Sequence, residues 1–167
     1  RRSSDLDDVV MPDYVALLVD ALTSSPNAVL AYSDVVAVTA EGREETWIYD
    51  EIAGEPSAFE RARSILRRDG TWWLPYRGLL RASAVMKAGL PHNRADDFSA
   101  DWPWILRLSM LGEFVRVPHA SYVKRHGGGT LSETWRYDFW QWRTVELSCL
   151  SEILRSGLGI TDKTRLF

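Results

Sequence analysis

The chain has 167 residues, of which 46% are hydrophobic, and a net charge of −3 at pH 7. That is enough apolar material for one core, and so for one domain with a small appendage at most. This net charge gives no electrostatic indication of binding to nucleic acid or to an anionic membrane, and no apolar run approaches the roughly 20 residues that a membrane span needs. The single cysteine, Cys149, excludes an internal disulfide and is typical of a reducing compartment. We therefore expect a cytoplasmic protein, either free or peripheral to a membrane.

An acidic segment near the start carries the first functional signal. Three carboxylates, Asp5, Asp7 and Asp8, are followed by an apolar run and by Pro12, which is typical of the first residue of a helix. In a strand, Asp5 and Asp7 would point to the same side of the sheet. Closely spaced carboxylates are suitable ligands for Mg²⁺ or Mn²⁺. A solvated acidic N-cap is an equally good interpretation of this segment alone.

The next elements predict a layered α/β fold. The apolar spacing over 13–24 predicts an amphipathic helix, and the apolar run Ala28–Tyr32 predicts a buried strand. A helix between strands indicates a crossover connection and a mainly parallel sheet. Asp34 is then expected at the carboxyl end of its strand, where ligands bind in open α/β sheets, although a role in a turn is as good an interpretation.

Local patterns predict the remaining elements. Polar and glycine signals indicate a hairpin over 35–49, and a basic segment, 57–68, predicts a helix whose arginines either contact phosphates or are solvated. Further strands are predicted at 71–74, 113–118 and 120–124, and a helix over 81–88 that ends at Gly89. Thr130 and Glu133 have capping-box spacing and predict a last helix through about Leu154, with a wide apolar face.

A second acidic position lies at Asp101, just before a predicted helix that contains Pro103 and ends at Gly112. A carboxylate there caps the helix and is expected to stay ionised, which is also what a general base for a hydroxyl needs. Trp102 beside it suits stacking on a sugar ring, although core packing is the commoner use of tryptophan. His126, next to three glycines, is either a ligand or an ordinary loop residue.

Taken in order, these motifs resemble family 2 glycosyltransferases. The resemblance covers roughly residues 4–132 and rests on several short motifs: Asp5-x-Asp7-Asp8-x-x-x-Pro12, Ala31-Tyr32-Ser33-Asp34, Arg81 with Gly89, Asp101 eleven residues before Gly112, Val117-Pro118, and Tyr122-x-x-Arg125-His126. Each motif is weak alone, and their order makes the set more specific. The resemblance implies a GT-A fold, a nucleotide-sugar donor, a divalent metal at a DxD motif, and inversion at the anomeric carbon.

The same resemblance implies roles for individual residues. Asp101 would be the catalytic base, and the acceptor would be a carbohydrate or a lipid-linked sugar. The metal would be held by Asp7 together with Asp5, or with Asp8 in its place, and His126 is a weaker candidate for a contact with the metal or the diphosphate. Donor contacts are expected from Asp8 and Asp34, and acceptor contacts from Asp97 and Trp102.

The chain departs from the family pattern at three points. Ala100 stands where the family usually has Glu before the base, and Asp97 is a candidate to replace that Glu in space. Gln141-Trp142-Arg143 does not reproduce the motif of processive members, which disfavours a polymer synthase. The family's nucleotide-binding strands precede the DxD motif by on the order of 90 residues. We therefore expect a truncated GT-A domain over 1–132 with a helical extension over 133–167, and weak nucleotide binding by this chain alone.

A second interpretation belongs to a different class of function. The chain would be a non-catalytic module for interaction or assembly, pairing with a partner or with itself through a sheet edge or the apolar face of the last helix. A phosphohydrolase built on Asp-x-Asp is disfavoured, because Val9-Val10-Met11 does not supply the pattern such enzymes need after the motif.

Overall fold

The computed structural model describes residues 8–39, 41–93, 98–125 and 138–167. Within these ranges the strands are β1 (Val9–Val10), β2 (Ala28–Val38), β3 (Glu44–Trp47), β4 (Leu79–Leu80) and β5 (Glu113–Arg125). The helices are α1 (Tyr14–Ser24), α2 (Ala58–Arg67), α3 (Ala82–Ala88), α4 (Asp101–Leu111), α5 (Phe139–Arg155) and α6 (Ile160–Arg165), with a 3₁₀ turn at Leu74–Arg77.

The strands form one five-stranded open sheet in the order β1-β5-β2-β3, with β4 also pairing with β2. Only β2 and β5 run parallel among the described pairings, and the other three pairs are antiparallel. The α/β class is confirmed, but the prediction of a mainly parallel sheet is wrong. The long β2–β5 pair forms the centre of the sheet, and β2 is buried along most of its length, as expected for a strand covered on both faces.

Most helices begin and end where local signals predicted. Ser57 caps α2 by accepting the Glu60 N–H at 3.3 Å. Gly89 ends α3 with a φ of 72°, a left-handed conformation that glycine adopts without strain. The predicted hairpin is formed by β2 and β3, with Val38 opposite Glu44.

Three local predictions are wrong. Residues 71–74 form a turn that leads into the 3₁₀ turn, not a strand. The strands predicted at 113–118 and 120–124 are one strand, β5, which passes through Pro118. The last helix is capped by a capping box between Asp138 and Gln141, while Thr130 and Glu133 lie outside the described residues.

One hydrophobic core joins the sheet and the helices. Its fully buried members include Leu18 of α1, Leu30 of β2, Ile105 of α4 and Phe114 of β5. Helix α5 packs on α4 and contributes Val145, Cys149 and Ile153 to the same core. None of the helices in the described ranges has the length and apolar character to cross a membrane.

Gly78 holds the 3₁₀ turn close to the centre of the sheet. A Cβ atom at this position would lie 2.2 Å from the main-chain oxygen of Ala31 on β2, so only glycine fits. The turn that ends at Arg77 is therefore pressed against β2, and this contact fixes where the Arg77 side chain starts.

Candidate functional site

Arg77 joins Asp8 to Tyr122, two residues that are far apart in the sequence. Its Nη1 donates to Asp8 Oδ2 at 2.6 Å, and the Tyr122 hydroxyl donates to the same oxygen at 2.6 Å. Arg77 also donates to the Tyr122 hydroxyl. Asp8 lies just before β1, and Val10 of β1 pairs with Tyr122 of β5, so strand pairing brings the hydroxyl to the carboxylate.

Burial and the hydrogen bonds of this network shift the pKa values of Asp8 and Tyr122. Burial works against the ionised form of Asp8, but hydrogen bonds from Tyr122 and Arg77 outweigh it and lower the pKa of this carboxyl. Burial, together with the hydrogen bond to Asp8, raises the pKa of Tyr122 to about 12. At neutral pH the site therefore holds an ionised carboxylate, a protonated phenol and a guanidinium cation.

Asp101 is the first residue of α4, and its Oδ1 accepts the Trp102 N–H at 3.0 Å. Burial raises the pKa of this carboxyl, although backbone hydrogen bonds and the positive charges of Arg68 and Arg77 work in the opposite direction. Loss of hydration has the largest effect on the pKa of Asp101, so its position at the start of the helix does not lower this pKa. A carboxylate with a raised pKa is a stronger base.

Arg68 lies beside Asp101 in a cage of tryptophan rings. Its guanidinium carbon is 4.2 Å from the ring centre of Trp102, 4.5 Å from that of Trp142 and 5.5 Å from that of Trp72. Its Nε is buried and has no hydrogen-bond partner in the described part of the chain. Arg68 also has a φ of 56°, which is unusual for a residue with a side chain. The cation is therefore held by ring faces, with Asp101 among the charges that act on it.

Asp34 does not lie at the end of its strand, so that prediction is wrong. It lies in the middle of β2 and is 5% exposed. Arg116 of β5 donates Nε to Oδ1 at 2.7 Å and Nη2 to Oδ2 at 2.9 Å. Both carboxylate oxygens are thus engaged by a neighbouring strand, which favours a structural role over a donor contact.

Trp102 is also less accessible to an acceptor sugar than the sequence predicts. It is 6% exposed, and its indole N–H donates to the main-chain oxygen of Ile65 at 3.0 Å. Its ring packs on Arg68 and Trp72. These contacts favour core packing, the alternative interpretation, over stacking on an acceptor sugar.

The predicted metal ligands Asp5, Asp7 and His126, and the predicted acceptor residue Asp97, lie outside the described residues. The metal site therefore stays a prediction. Within the described ranges, no three His, Cys, Asp or Glu side chains are grouped so that they could hold a metal ion. Asp8 has the chemistry of a ligand for a hard divalent cation, since it is ionised and offers carboxylate oxygens, but its Oδ2 is engaged by Arg77 and Tyr122.

Sequence reasoning missed the two central cations. The sequence pattern includes Arg68 in the basic segment 57–68, whose arginines are predicted either to contact phosphates or to be solvated, and it gives no indication of Arg77. The basic group does not act as one unit, because Arg61 is buried and donates to the main-chain oxygens of Ser109 and Glu55. The available signal was the cluster Arg68, Trp72, Trp73 and Arg77, which combines cations with aromatic rings over a short stretch.

No protein-family model matches this chain, and no curated protein matches it significantly.

Proposed function

We propose that this chain is the catalytic portion of an inverting, metal-assisted glycosyltransferase, which moves a sugar from a nucleotide-sugar donor to an acceptor hydroxyl. The proposal is supported by the ion pair between Arg77 and Asp8, from the first acidic motif, and by the raised pKa of Asp101, from the second. One motif is suited to the donor and the other to the acceptor.

Asp101 acts as the general base in this proposal. It takes the proton of the acceptor hydroxyl while the hydroxyl oxygen bonds to the anomeric carbon. The bond from that carbon to the diphosphate oxygen breaks, its electron pair leaves with the nucleoside diphosphate, and the configuration is inverted. The raised pKa of Asp101 suits this role, since a base is most effective when its pKa is close to the working pH.

The charges around the site suit an anionic donor. The positive charges of Arg68 and Arg77 both act on Asp101, and they would favour a diphosphate near the same place. A Mg²⁺ or Mn²⁺ ion held by Asp5 and Asp7, with His126 as a further candidate, would neutralise the leaving diphosphate as a Lewis acid. No protein nucleophile is needed for a single displacement.

Donor binding is tested first, by calorimetric titration with Mn²⁺ and a UDP-sugar. The measurement is made on this chain and on a version extended at its N-terminus. We expect weak or no binding by this chain and metal-dependent binding by the extended form, which is lost in Asp7→Ala. Absence of binding in both forms would count against the glycosyltransferase.

Catalysis is tested in the form that binds the donor, by release of nucleoside diphosphate from the UDP-sugar in the presence of Mn²⁺ and candidate acceptors. Replacing a general base typically lowers the rate by about 10²–10⁴-fold, so we expect that loss in Asp101→Asn. The matched control is Asp162→Asn, which removes a carboxylate from α6. Unchanged turnover in Asp101→Asn would remove Asp101 as the base.

One observation favours the second candidate, the interaction module. The described part of the chain pairs β1 only with β5, and Val9, Val10 and Met11 are exposed beside this unpaired edge. An exposed apolar edge strand is a site for pairing with another chain. Metal-independent dimers in sedimentation velocity that dissociate in Val10→Lys, and persist in the control Ile160→Lys, would favour the module.

A further inference from the structure

A cavity of about 330 Å³ opens between α3, α4 and α5. Its lining includes charged side chains from all three helices and two apolar side chains of α4: Lys87, Arg107, Glu152, Arg155, Met110 and Leu111. The volume lies at the lower end of the range for sites that bind small organic ligands. None of these residues has a role in the proposed sugar transfer, so the cavity needs a separate explanation.

The charges of the lining are not balanced. Arg107 donates to both oxygens of Glu152, with Nη2 to Oε1 at 2.5 Å, and its Nη1 donates to the main-chain oxygen of Ala88. This ion pair is neutral, and it engages the acid of the lining completely. Lys87 and Arg155 make no hydrogen bond or ion pair with any described residue. Two positive charges therefore border the cavity without a counter-charge, which favours an anionic ligand.

The local sequence leaves these two cations without acidic neighbours. Other helix cations, such as Arg63 and Arg143, pair with a glutamate three residues away on the same helix. No acid lies within four residues of Lys87, and the acid nearest to Arg155, Glu152, is already engaged. Both cations lie in the last turn of a helix, where the helix dipole favours them. The dipole supplies only about half a charge, so the cavity stays attractive to an anion.

We propose that this cavity binds a small, soluble phosphate monoester. Such an ester carries a charge of about −1.5 to −2 at pH 7, which matches two cations. Lys87 and Arg155 bind the phosphate group, and the organic part lies against Met110 and Leu111. An organic part is expected because the cavity has the volume of roughly ten water molecules, more than a phosphate alone would fill. The inference is independent of the proposed sugar transfer, since it uses other residues and another ligand.

Calorimetric titration of the 167-residue chain with glucose 6-phosphate tests the proposal. We expect saturable binding of this ester, weaker binding of inorganic phosphate and no binding of glucose. Lys87→Gln and Arg155→Gln should each weaken binding about tenfold, the low end for a hydrogen bond to a charged group. The charge-matched control is Arg43→Gln, which removes an exposed cation outside the lining.

Gly157 allows a test that leaves every charge in place. It lines the cavity, and a Cβ atom there would meet no atom within 4 Å, so a side chain at this position enters open space. Gly157→Leu should therefore occupy part of the cavity and abolish binding of glucose 6-phosphate. The matched control is Gly159→Leu, at a glycine that also faces open space but does not line the cavity.

Four results would overturn the proposal. The first is absence of saturable binding of glucose 6-phosphate by the wild type. The second is an equal loss in Arg43→Gln, which would mean that only net charge matters. The third is unchanged binding in Gly157→Leu, which would place the ester elsewhere. The fourth is binding to vesicles of phosphatidic acid without binding of glucose 6-phosphate, which would make the ligand a lipid phosphate.

Discussion

Replacing Asp34 with asparagine tests whether this carboxylate serves the fold or a ligand. Both of its oxygens are held by Arg116, and the two side chains are 7% and 18% exposed. Removing one partner of a buried ion pair costs about 3–5 kcal/mol, because the other charge stays buried without compensation. Arg116 keeps Asp50 at 4.0 Å as a weak second partner. We therefore expect Asp34→Asn to lower the free energy of unfolding by about 3 kcal/mol, the low end of that range.

Urea unfolding followed by tryptophan fluorescence measures this loss. The control is Glu60→Gln, which breaks a pair with Arg63 whose side chains are 41% and 43% exposed, and which should cost about 0–1 kcal/mol. The double variant Asp34→Asn/Arg116→Met should recover part of the stability, since no charge is left unpaired. A loss no larger than that of the control would refute the structural role and return Asp34 to the predicted donor site.

Further predictions concern the acidic network. Because burial raises the pKa of Asp101 in the folded state, its ionisation lowers stability as the pH rises above the ordinary carboxyl pKa of about 3.9. Asp101→Asn should therefore unfold at higher urea than wild type at pH 7 but not at pH 3, and equal midpoints at pH 7 would contradict this. The pKa of Asp8 is lowered, so its stabilising effect is present above about pH 3.9 and is lost as the pH falls through the lowered value. The difference in stability between wild type and Asp8→Asn, below about 1 kcal/mol for this partly exposed pair, should shrink in acid, and a constant difference would argue against the Arg77 ion pair. Arg68→Gln should raise the Asp101 pKa measured by carboxyl NMR titration while Arg68→Lys leaves it nearly unchanged; equal shifts would mean that the charge of Arg68 does not act on Asp101.

The misassignment of Asp34 shows where local pattern fails. An apolar run that gives way to Ser33 and Asp34 resembles the end of a strand, and the sequence around it contains no reason to continue. The strand does continue to Val38, because Arg116 on the parallel neighbour β5 supplies a partner for the buried carboxylate. That partner is distant in sequence, so no spacing rule could have identified it.

Pro118 misled the prediction in a similar way. Proline usually ends a central strand because it cannot donate to the ladder. Here the β2–β5 register shifts, so that Ser33 pairs with Val117 and Asp34 with Ala120. Pro118 falls in the resulting bulge, where its missing N–H does no harm. Trp73 also departs from its propensity for β-strands, because packing determines its position. It lies in a turn and packs edge-on against Trp47, with ring centres 5.5 Å apart.

The helices were predictable because their signals are local. Gly89 and Gly112 follow the last residues of α3 and α4, and Pro103 lies in the first turn of α4. The acidic positions Asp8 and Asp101 also stand out in the sequence. Arg77 does not stand out in the sequence, because an arginine becomes part of a site only when the fold brings other groups to it.

The charge of Arg77 acts on both Asp8 and Asp101, which has a consequence for the ionisation of these two carboxyl groups. The Arg77 carbonyl accepts a hydrogen bond from the Tyr14 hydroxyl, and the next residue, Gly78, lies so close to β2 that no larger residue fits. From this position the charge of Arg77 pairs with Asp8 and acts to lower the pKa of Asp101. A proton or a metal cation bound at Asp8 neutralises the carboxylate that offsets the positive charge of Arg77. Asp101 then experiences more of that positive charge, and its pKa falls. By linkage, ionisation of Asp101 changes the affinity of Asp8 for that cation by the same free energy.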